Sequence, residues 1–368
     1  MKVPRTAASL LESLRPYLAG RFGPDAGSAT LSPLHGALDA VKEGCYGVPW
    51  LVTWSTAEGP RRLVLETVRP GGFGHEDRAD RAGLVVRAFD DYGRLPGHVK
   101  PADFGVFREA GPAISLAGTS EFFFLTEFCE GTPYAVDLER ISVNGELGER
   151  DLARARSLAD YLVDIHRAPV AHPTYYRRRL RDLGGYGECV AGVADSVPES
   201  CAHLPAEVLH RIEAGVLDWR YRLRDRSDRL RAIHGDFHPW NILFEEDGSF
   251  HALDRSRGTY GEPADDVAAL AINYVFFALR TAGHMTGPFA RLFDVFWHRY
   301  LEQSGDSDLP FVIAPFFAFR ALVLANPVWY PNEAAETRRR LVALLLAVLG
   351  ASRFSPGRIE EWTSEAEA

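Results

Sequence analysis

His234-Gly235-Asp236-Phe237-His238-Pro239-Trp240-Asn241-Ile242-Leu243-Phe244 is the stretch on which the fold turns. Ala232 and Ile233 lead into it as a short apolar run, and Ile242 to Phe244 has the character of a strand. Glu246-Asp247-Gly248-Ser249 supplies a turn, after which Phe250 to Leu253 is apolar again. Turn residues between two apolar runs predict a β-hairpin. Such a hairpin brings Asp236, Asn241 and Asp254 together at a loop mouth. Two carboxylates and an amide oxygen are hard donors suited to Mg2+, which binds through few protein groups and keeps some of its waters. The same residue types serve phosphoryl transfer: one Asp accepts the proton of the attacking hydroxyl, and another Asp and an Asn hold the metal.

Downstream of this stretch, Val267 to Thr281 is apolar on nearly every face, which predicts a buried helix. Helical patterns follow over Pro288 to Glu302, Val312 to Leu324 and Glu333 to Leu349. Upstream, Leu152 to His166 carries Leu158, Leu162 and Ile165 at helical spacing, and Leu204 to Arg224 is helical in pattern. Between these two lies a polar, Arg- and Gly-rich connection that includes Gly184-Gly185-Tyr186-Gly187.

The first third is different. Trp50 to Trp54, the turn Ala57-Glu58-Gly59-Pro60 and the run Arg62 to Val68 predict a hairpin over residues 48–68. Pro70-Gly71-Gly72-Phe73-Gly74 breaks the second strand, and Leu84, Val85, Ala88 and Phe89 fit a helix from Glu76 to Tyr92. Phe104 to Arg108 and Phe122 to Phe128 are two further extended runs. At the N-terminus Leu10, Leu11, Leu14 and Leu18 mark an amphipathic helix, broken by Glu12 and Arg15 and too polar for a signal peptide. The expected fold class is α+β: a helical extension over 1–40, a β-rich N-terminal lobe over 41–132, a larger helical C-terminal lobe over 133–362 and a frayed tail over 363–368.

A chain of 368 residues is long enough for a two-lobed enzyme, and 46% apolar with 25% charged residues is an ordinary globular balance. The net charge of -9 and the lack of any Lys/Arg run argue against a nucleic-acid partner. Cys45, Cys129, Cys189 and Cys201 form no C-x-x-C pair and have no His at metal-ligand spacing, so reduced thiols are expected. No apolar run approaches the roughly 18 residues that a membrane span needs. A cytoplasmic protein, monomer or homodimer, without a membrane partner is the expectation.

The order His234-Gly235-Asp236, His238, Asn241, then Leu253-Asp254, then Gly261-Glu262-Pro263-Ala264-Asp265-Asp266-Val267-Ala268 resembles the aminoglycoside phosphotransferase and choline kinase-like family. That family has the bilobal protein-kinase-like fold. The likeness is sharp over residues 230–270 and looser, at the level of lobe organisation, over 40–170. It implies that Asp236 is the catalytic base and that Asn241 and Asp254 are magnesium ligands. It further implies that Asp266 braces the loop and that His234 and His238 support it by hydrogen bonding. ATP and Mg2+ are the implied cofactors, and a small-molecule hydroxyl is the implied acceptor.

The resemblance also sets expectations for the first lobe. Gly44-Cys45-Tyr46-Gly47 stands where a nucleotide loop belongs, and the backbone of Glu127, Phe128 and Cys129 stands where a hinge meets adenine. The third strand of the family carries a Lys that faces the phosphates, but here that position is Glu66, whose charge repels them. Three readings follow. The strand is shifted, so that Arg62 or Arg69 reaches the phosphates. Glu66 pairs with Arg78 or Arg81. Or the chain is a catalytically degenerate, pseudokinase-like nucleotide binder. The segment Arg69 to His75 reads either as a second phosphate loop or as a plain strand-to-helix connection. Trp240, Arg255, Arg257, Tyr274, Phe277, His284, Trp329 and Tyr330 are acceptor-pocket candidates by position. Arg255 and Arg257 beside Asp254 suggest an anionic acceptor or neutralisation of the transferring phosphoryl group.

Overall fold

The structure is a computed structural model that describes residues 6–34, 47 and 49–364. The chain divides into two compact units, Met1–Thr126 and Glu127–Ala368.

The first unit opens with α1 (Ala7–Phe22), whose start is capped by Thr6: its hydroxyl accepts the Ser9 amide at 3.2 Å. The leucine spacing does what it predicts, burying Leu10, Leu14 and Leu18 along one face. Three antiparallel strands follow in the order β1 (Thr30–Pro33), β2 (Trp50–Thr56) and β3 (Gly59–Leu65). The β2–β3 hairpin pairs Trp50 with Leu65 and Thr56 with Gly59, inside the expected span. Period-2 alternation turns Val52 and Trp54 inward, where they pack with Leu14, Leu18, Ala26 and Ala29. The N-terminal helix is therefore part of this core. Helix α2 (Arg78–Tyr92) begins where the Asp80 carboxylate accepts the Asp77 amide at 2.7 Å.

Two strand expectations change. Phe104 to Arg108 contributes only β4 (Gly105–Val106), paired with β5 (Ile114–Ser115). Residues Phe122 to Phe128 form no strand, and Phe122, Phe123, Phe124, Leu125 and Phe128 are all exposed. Apolar character supplies the face of a strand but not its ladder, and no described strand pairs with this run. Gly44, Cys45 and Tyr46 of the expected nucleotide loop lie outside the described residues.

The second unit starts with β6 (Thr132–Pro133) and is then helical: α3 (Tyr134–Asn144), α4 (Glu149–Ile165), α5 (Pro173–Gly185), α6 (Val190–Asp195) and α7 (Ala206–Leu223). The connection expected between His166 and Leu204 thus contains two helices, α5 and α6. His172 caps α5 by accepting the Tyr175 amide at 3.2 Å, Pro173 opens it, and Tyr175, Tyr176, Leu180 and Leu183 are buried on one face. Short strands β7 (Arg231–Ala232), β8 (Ile242–Phe244), β9 (Phe250–Ala252) and β10 (Tyr260–Gly261) make two small sheets, β6-β8-β9 and β10-β7. Gly131 (φ +142°) precedes β6; a Cβ there would lie 3.0 Å from the Leu243 Cβ, so the close approach requires glycine.

Helices α8 (Pro263–Ala282), α9 (Gly287–Ser304), α10 (Leu309–Val312), α11 (Ala314–Ala325), α12 (Ala335–Gly350) and α13 (Ile359–Ser364) complete the unit. Every residue of α8 from Pro263 to Leu279 is buried, as its all-round apolar pattern requires. It packs on α9 and α11, and α11 packs on α12. In α13 Trp362 meets Phe354 and Thr363 is fully buried, so the chain is still packed at the start of the expected 363–368 tail. Among the described residues no helix is long and apolar enough to cross a membrane. Cys129, Cys189 and Cys201 are free thiols.

Candidate active site

The site is built on the loop between β7 and β8 and on the hairpin that follows. Pairing of β7 with β10 (Ala232 opposite Tyr260) ties the two ends of the segment together. In the β8–β9 hairpin Ile242 faces Ala252, and one step further the Leu253 amide donates to the Asn241 carbonyl at 2.8 Å. Asp254 is thereby set beside Asn241. Gly235 has φ +88°, and a Cβ on it would stand 3.2 Å from the Arg257 Cβ. Asp254 itself takes the left-handed region (φ +56°), which Asp tolerates better than most residues, and its side chain is exposed.

Asp266, in the first turn of α8, is wholly buried. Its Oδ2 accepts the His234 amide and its Oδ1 the Gly235 amide, both at 2.7 Å. His166, at the end of α4, donates Nε2–H to Asp266 Oδ2 at 3.1 Å, and the Tyr300 hydroxyl of α9 lies 2.9 Å from the other ring nitrogen. Burial works against the Asp266 charge, but His166 and these two amides hold its carboxyl below the usual range. Smaller braces lie inside the loop. His234 Nδ1 accepts the Asp236 amide at 3.3 Å, His238 Nδ1 accepts the Trp240 amide at 3.3 Å, and Asn241 Nδ2 donates to the Asp236 carbonyl at 3.1 Å.

Asp236 is buried at the centre. Arg320 Nη1 donates to its Oδ1, while Arg257 Nε and His238 Nε2 each stand 3.7 Å from its Oδ2. Burial alone would raise the Asp236 pKa; Arg320, then Arg257 and His238, outweigh it and hold the carboxyl below its ordinary value. Burial pushes the His238 imidazole down to about 4, over the opposing pull of Asp236 and helped by both arginines. At neutral pH the site therefore presents an ionised Asp236 and a neutral His238.

The donor chemistry around Asn241 and Asp254 fits a hard cation. Asn241 spends its Nδ2 on the Asp236 carbonyl, which leaves its amide oxygen as an acceptor, and its backbone pairs with Leu253, the residue before the exposed Asp254. Among the described residues no three His, Cys, Asp or Glu side chains form a closed cage. A set of few oxygens suits Mg2+ arriving with phosphates and its own waters, not a dedicated protein cage.

The remaining expected residues are less gathered. In the first unit Glu66 and Arg69 are exposed. Arg81 spends its Nη1 on the carbonyls of His75, Glu76 and Asp77 at 2.8 to 2.9 Å, and no ion pair joins Glu66 to Arg78 or Arg81 among the described residues. Glu127 and Phe128 are exposed and Cys129 is half-buried, in irregular chain just before β6. Arg255 is tied to its own loop, donating to the Ile233 carbonyl at 2.8 Å and the Thr259 carbonyl at 2.9 Å. Tyr274 and Phe277 are core residues, Tyr274 bonded to the Tyr134 hydroxyl at 3.0 Å and Phe277 stacked on Phe289. Trp240 and Tyr330 meet edge-on at 6.1 Å on the exposed side of the loop.

Four residues escape a reading from the sequence: Arg320, Asp265, His166 and Tyr300. Arg320 did leave a signal. It is the lone charge in Ala314-Pro315-Phe316-Phe317-Ala318-Phe319-Arg320-Ala321-Leu322-Val323-Leu324-Ala325, and a charge in so apolar a helix needs a buried partner. His166 and Tyr300 carry no local mark, since their partner is distant in sequence.

Comparison with known proteins follows the same line. A model of the phosphotransferase enzyme family (APH) matches residues 56–308. No curated protein sequence matches the chain. Among solved structures, an amicoumacin kinase in complex with AMP-PNP, Ca2+ and Ami is 13% identical, with 90% of this chain and 88% of that one covered and a TM-score of 0.38. A glucosamine kinase in complex with glucosamine, ADP and inorganic phosphate is 16% identical, with 94% and 85% covered and a TM-score of 0.39. Choline kinase LicA from Streptococcus pneumoniae is 15% identical, with 87% and 92% covered and a TM-score of 0.36. The family match takes in the first unit from residue 56 onward and most of the helical second, including the whole Asp236 loop and its Asp266 brace. On that ground the chain, with its protein-kinase-like fold, belongs to the phosphotransferase enzyme family.

Proposed function

We propose that this enzyme transfers the γ-phosphoryl group of ATP to a hydroxyl group of a small molecule, in a Mg2+-dependent reaction with Asp236 as the base. The observation that carries the reading is one braced loop and hairpin bearing three oxygen donors: Asp236 buried against Arg320, Asn241 bonded to the Asp236 carbonyl, and exposed Asp254 next to the Leu253 that pairs with Asn241. Asp236 accepts the proton of the acceptor hydroxyl as its oxygen bonds to the γ-phosphorus. The bond from that phosphorus to the bridging oxygen breaks, and ADP leaves with the electron pair. Asn241 and Asp254 would hold Mg2+, which supplies charge neutralisation on the phosphates when bound. A base held low is a weak one, but in a loose phosphoryl transfer the hydroxyl gives up its proton late, so orientation counts for more than basicity.

The acceptor belongs to the same proposal. Arg255 is engaged by backbone carbonyls, but Arg320 and Arg257 both stand at the Asp236 carboxylate. That disfavours a polycation and supports a neutral or anionic acceptor. Backbone groups of Glu127, Phe128 and Cys129 are proposed for the nucleotide base and Arg69 for its phosphates; Arg69→Ala then raises the KM for ATP. Glu66 alone motivated the reading as a degenerate nucleotide binder, and membership of an enzyme family lends that reading no support. The test is ATP consumption by the full chain against a panel of amino sugars, amino alcohols, sugar alcohols and hydroxy acids, with and without Mg2+. Turnover that needs both an acceptor and the metal, and that falls by about 10³-fold in Asp236→Asn, is the expected result. No acceptor-dependent turnover anywhere in the panel, or an undiminished rate in Asp236→Asn, would sink it.

A further inference from the structure

Arg320 lies in the middle of α11, fully enclosed, with its guanidinium 4.8 Å from the Phe319 ring. Three oxygens receive it: Oδ1 of Asp236, the Gly235 carbonyl at 2.8 Å and Oδ1 of Asp265 at 2.8 Å. Two of these belong to the reacting loop and the third to α8. Among the described residues no donor comes within hydrogen-bond distance of Asp236 Oδ2, since Arg257 and His238 both stop at 3.7 Å.

We propose that Arg320 is a positioning residue for phosphoryl transfer: by tying down Oδ1 of Asp236 it leaves Oδ2 as the single oxygen offered to an acceptor hydroxyl. The inference rests on the reading of Asp236 as the base. The terminal torsion of an aspartate is broad and roughly twofold, so an unanchored carboxylate presents either oxygen over a wide range of angles. A guanidinium is a planar fork that binds two acceptors at set angles. Here one fork holds both the side chain and the backbone of the same turn, Asp236 and Gly235. Asp265 holds the fork itself in place from the neighbouring helix and shares its charge. Helix α11 is buried along nearly its whole length, so the anchor does not drift.

The test is a double-mutant cycle on the full chain, read as Mg-ATP turnover with the best acceptor of the panel above and with water, beside thermal unfolding of each variant. Arg320→Gln lowers kcat by about 100-fold while the KM for ATP is unchanged, the size expected when a reacting group is misplaced by about an ångström. Arg320→Lys recovers part of kcat, because a charge and one hydrogen bond return. In an Asp236→Asn background Arg320→Gln costs no further activity, because the residue acts only through Asp236. Multiplying losses in that background, or a kcat per folded molecule equal to the parent, would overturn the assignment. Should Arg320→Gln not fold, the Asp236→Asn/Arg320→Gln pair removes both charges together, and Arg320→Lys still reports the single change. A crystal structure of Arg320→Lys gives an answer independent of turnover. A displaced or doubled Asp236 carboxylate supports the positioning role even if the parent proves inactive, a result that would sink the phosphotransfer reading alone; an unmoved carboxylate overturns the positioning role.

Discussion

The loop around Asp236 and the apolar run at residues 122–128 are opposites. The loop is polar, yet it is buried and held by bonds from the helices around it: Asp266 of α8 and Arg320 of α11 bond it directly, and His166 of α4, bonded in turn to Tyr300 of α9, stands behind Asp266. The run at 122–128 is rich in phenylalanine, yet Phe123, Phe124 and Leu125 are 86%, 84% and 87% exposed. Hydrophobicity did not decide burial in either place. A polar segment is buried when most of its donors and acceptors find partners, as here with His234 Nε2 an exception, because an unmatched one costs about 1–3 kcal/mol. An apolar segment gains nothing until a second surface covers it.

This contrast is best broken at Asp236. Asp236→Asn removes the proposed base while keeping its shape, and kcat should fall by about 10³-fold with ATP affinity retained; stopped-flow turnover and nucleotide titration check both halves. Asp254→Ala comes next, since it strips a charged metal donor from the exposed side of the hairpin. Turnover should drop and the Mg2+ concentration for half-maximal rate should rise at least tenfold, a roughly 1.4 kcal/mol change, measured by metal titration at fixed ATP.

Asp266→Asn probes the brace in place of the chemistry. The amide can accept only one of the two backbone N–H groups well and turns a donor toward the other, so unfolding should become easier by about 2–3 kcal/mol, read from urea midpoints. A milder effect is expected behind the site at Asp306, where burial is outweighed by Arg229 and the carboxyl sits below its usual range. A depressed folded value means stability that is present above the ordinary carboxylate pKa and is lost as the pH falls through the folded one. Asp306→Asn should therefore cost about 1–3 kcal/mol near neutral pH and flatten the acid limb of the stability curve. Least of all should come from the exposed side of the comparison. Glu66→Lys and Phe124→Ser should each shift stability by no more than about 0.5 kcal/mol; a large loss in calorimetry would mean that a surface covers them.

The legible part of this protein was local. Ile242 to Phe244, the Glu246 to Ser249 turn and Phe250 to Ala252 form their hairpin because the turn chemistry and the two apolar runs agree, and the Asn241–Asp254 neighbourhood follows from that register. The leucines of α1 and the all-apolar face of α8 were equally readable, since period and composition state how much of a helix is covered. The 122–128 run was not, because a strand needs a partner ladder that its own residues do not encode. The short polar stretch that became α5 was missed because its few buried residues, Tyr175, Tyr176, Leu180 and Leu183, sit among arginines.

By itself, then, the sequence determined the hairpin that links residues 236 to 254, because its backbone hydrogen bonds are of short range. Only the tertiary structure decided what holds them. Arg320 reaches Asp236 across 84 residues of chain and His166 reaches Asp266 across 100. Contacts of that separation leave no periodic trace, since they exist only once α4, α8 and α11 have packed and no solvent remains to satisfy the charges otherwise.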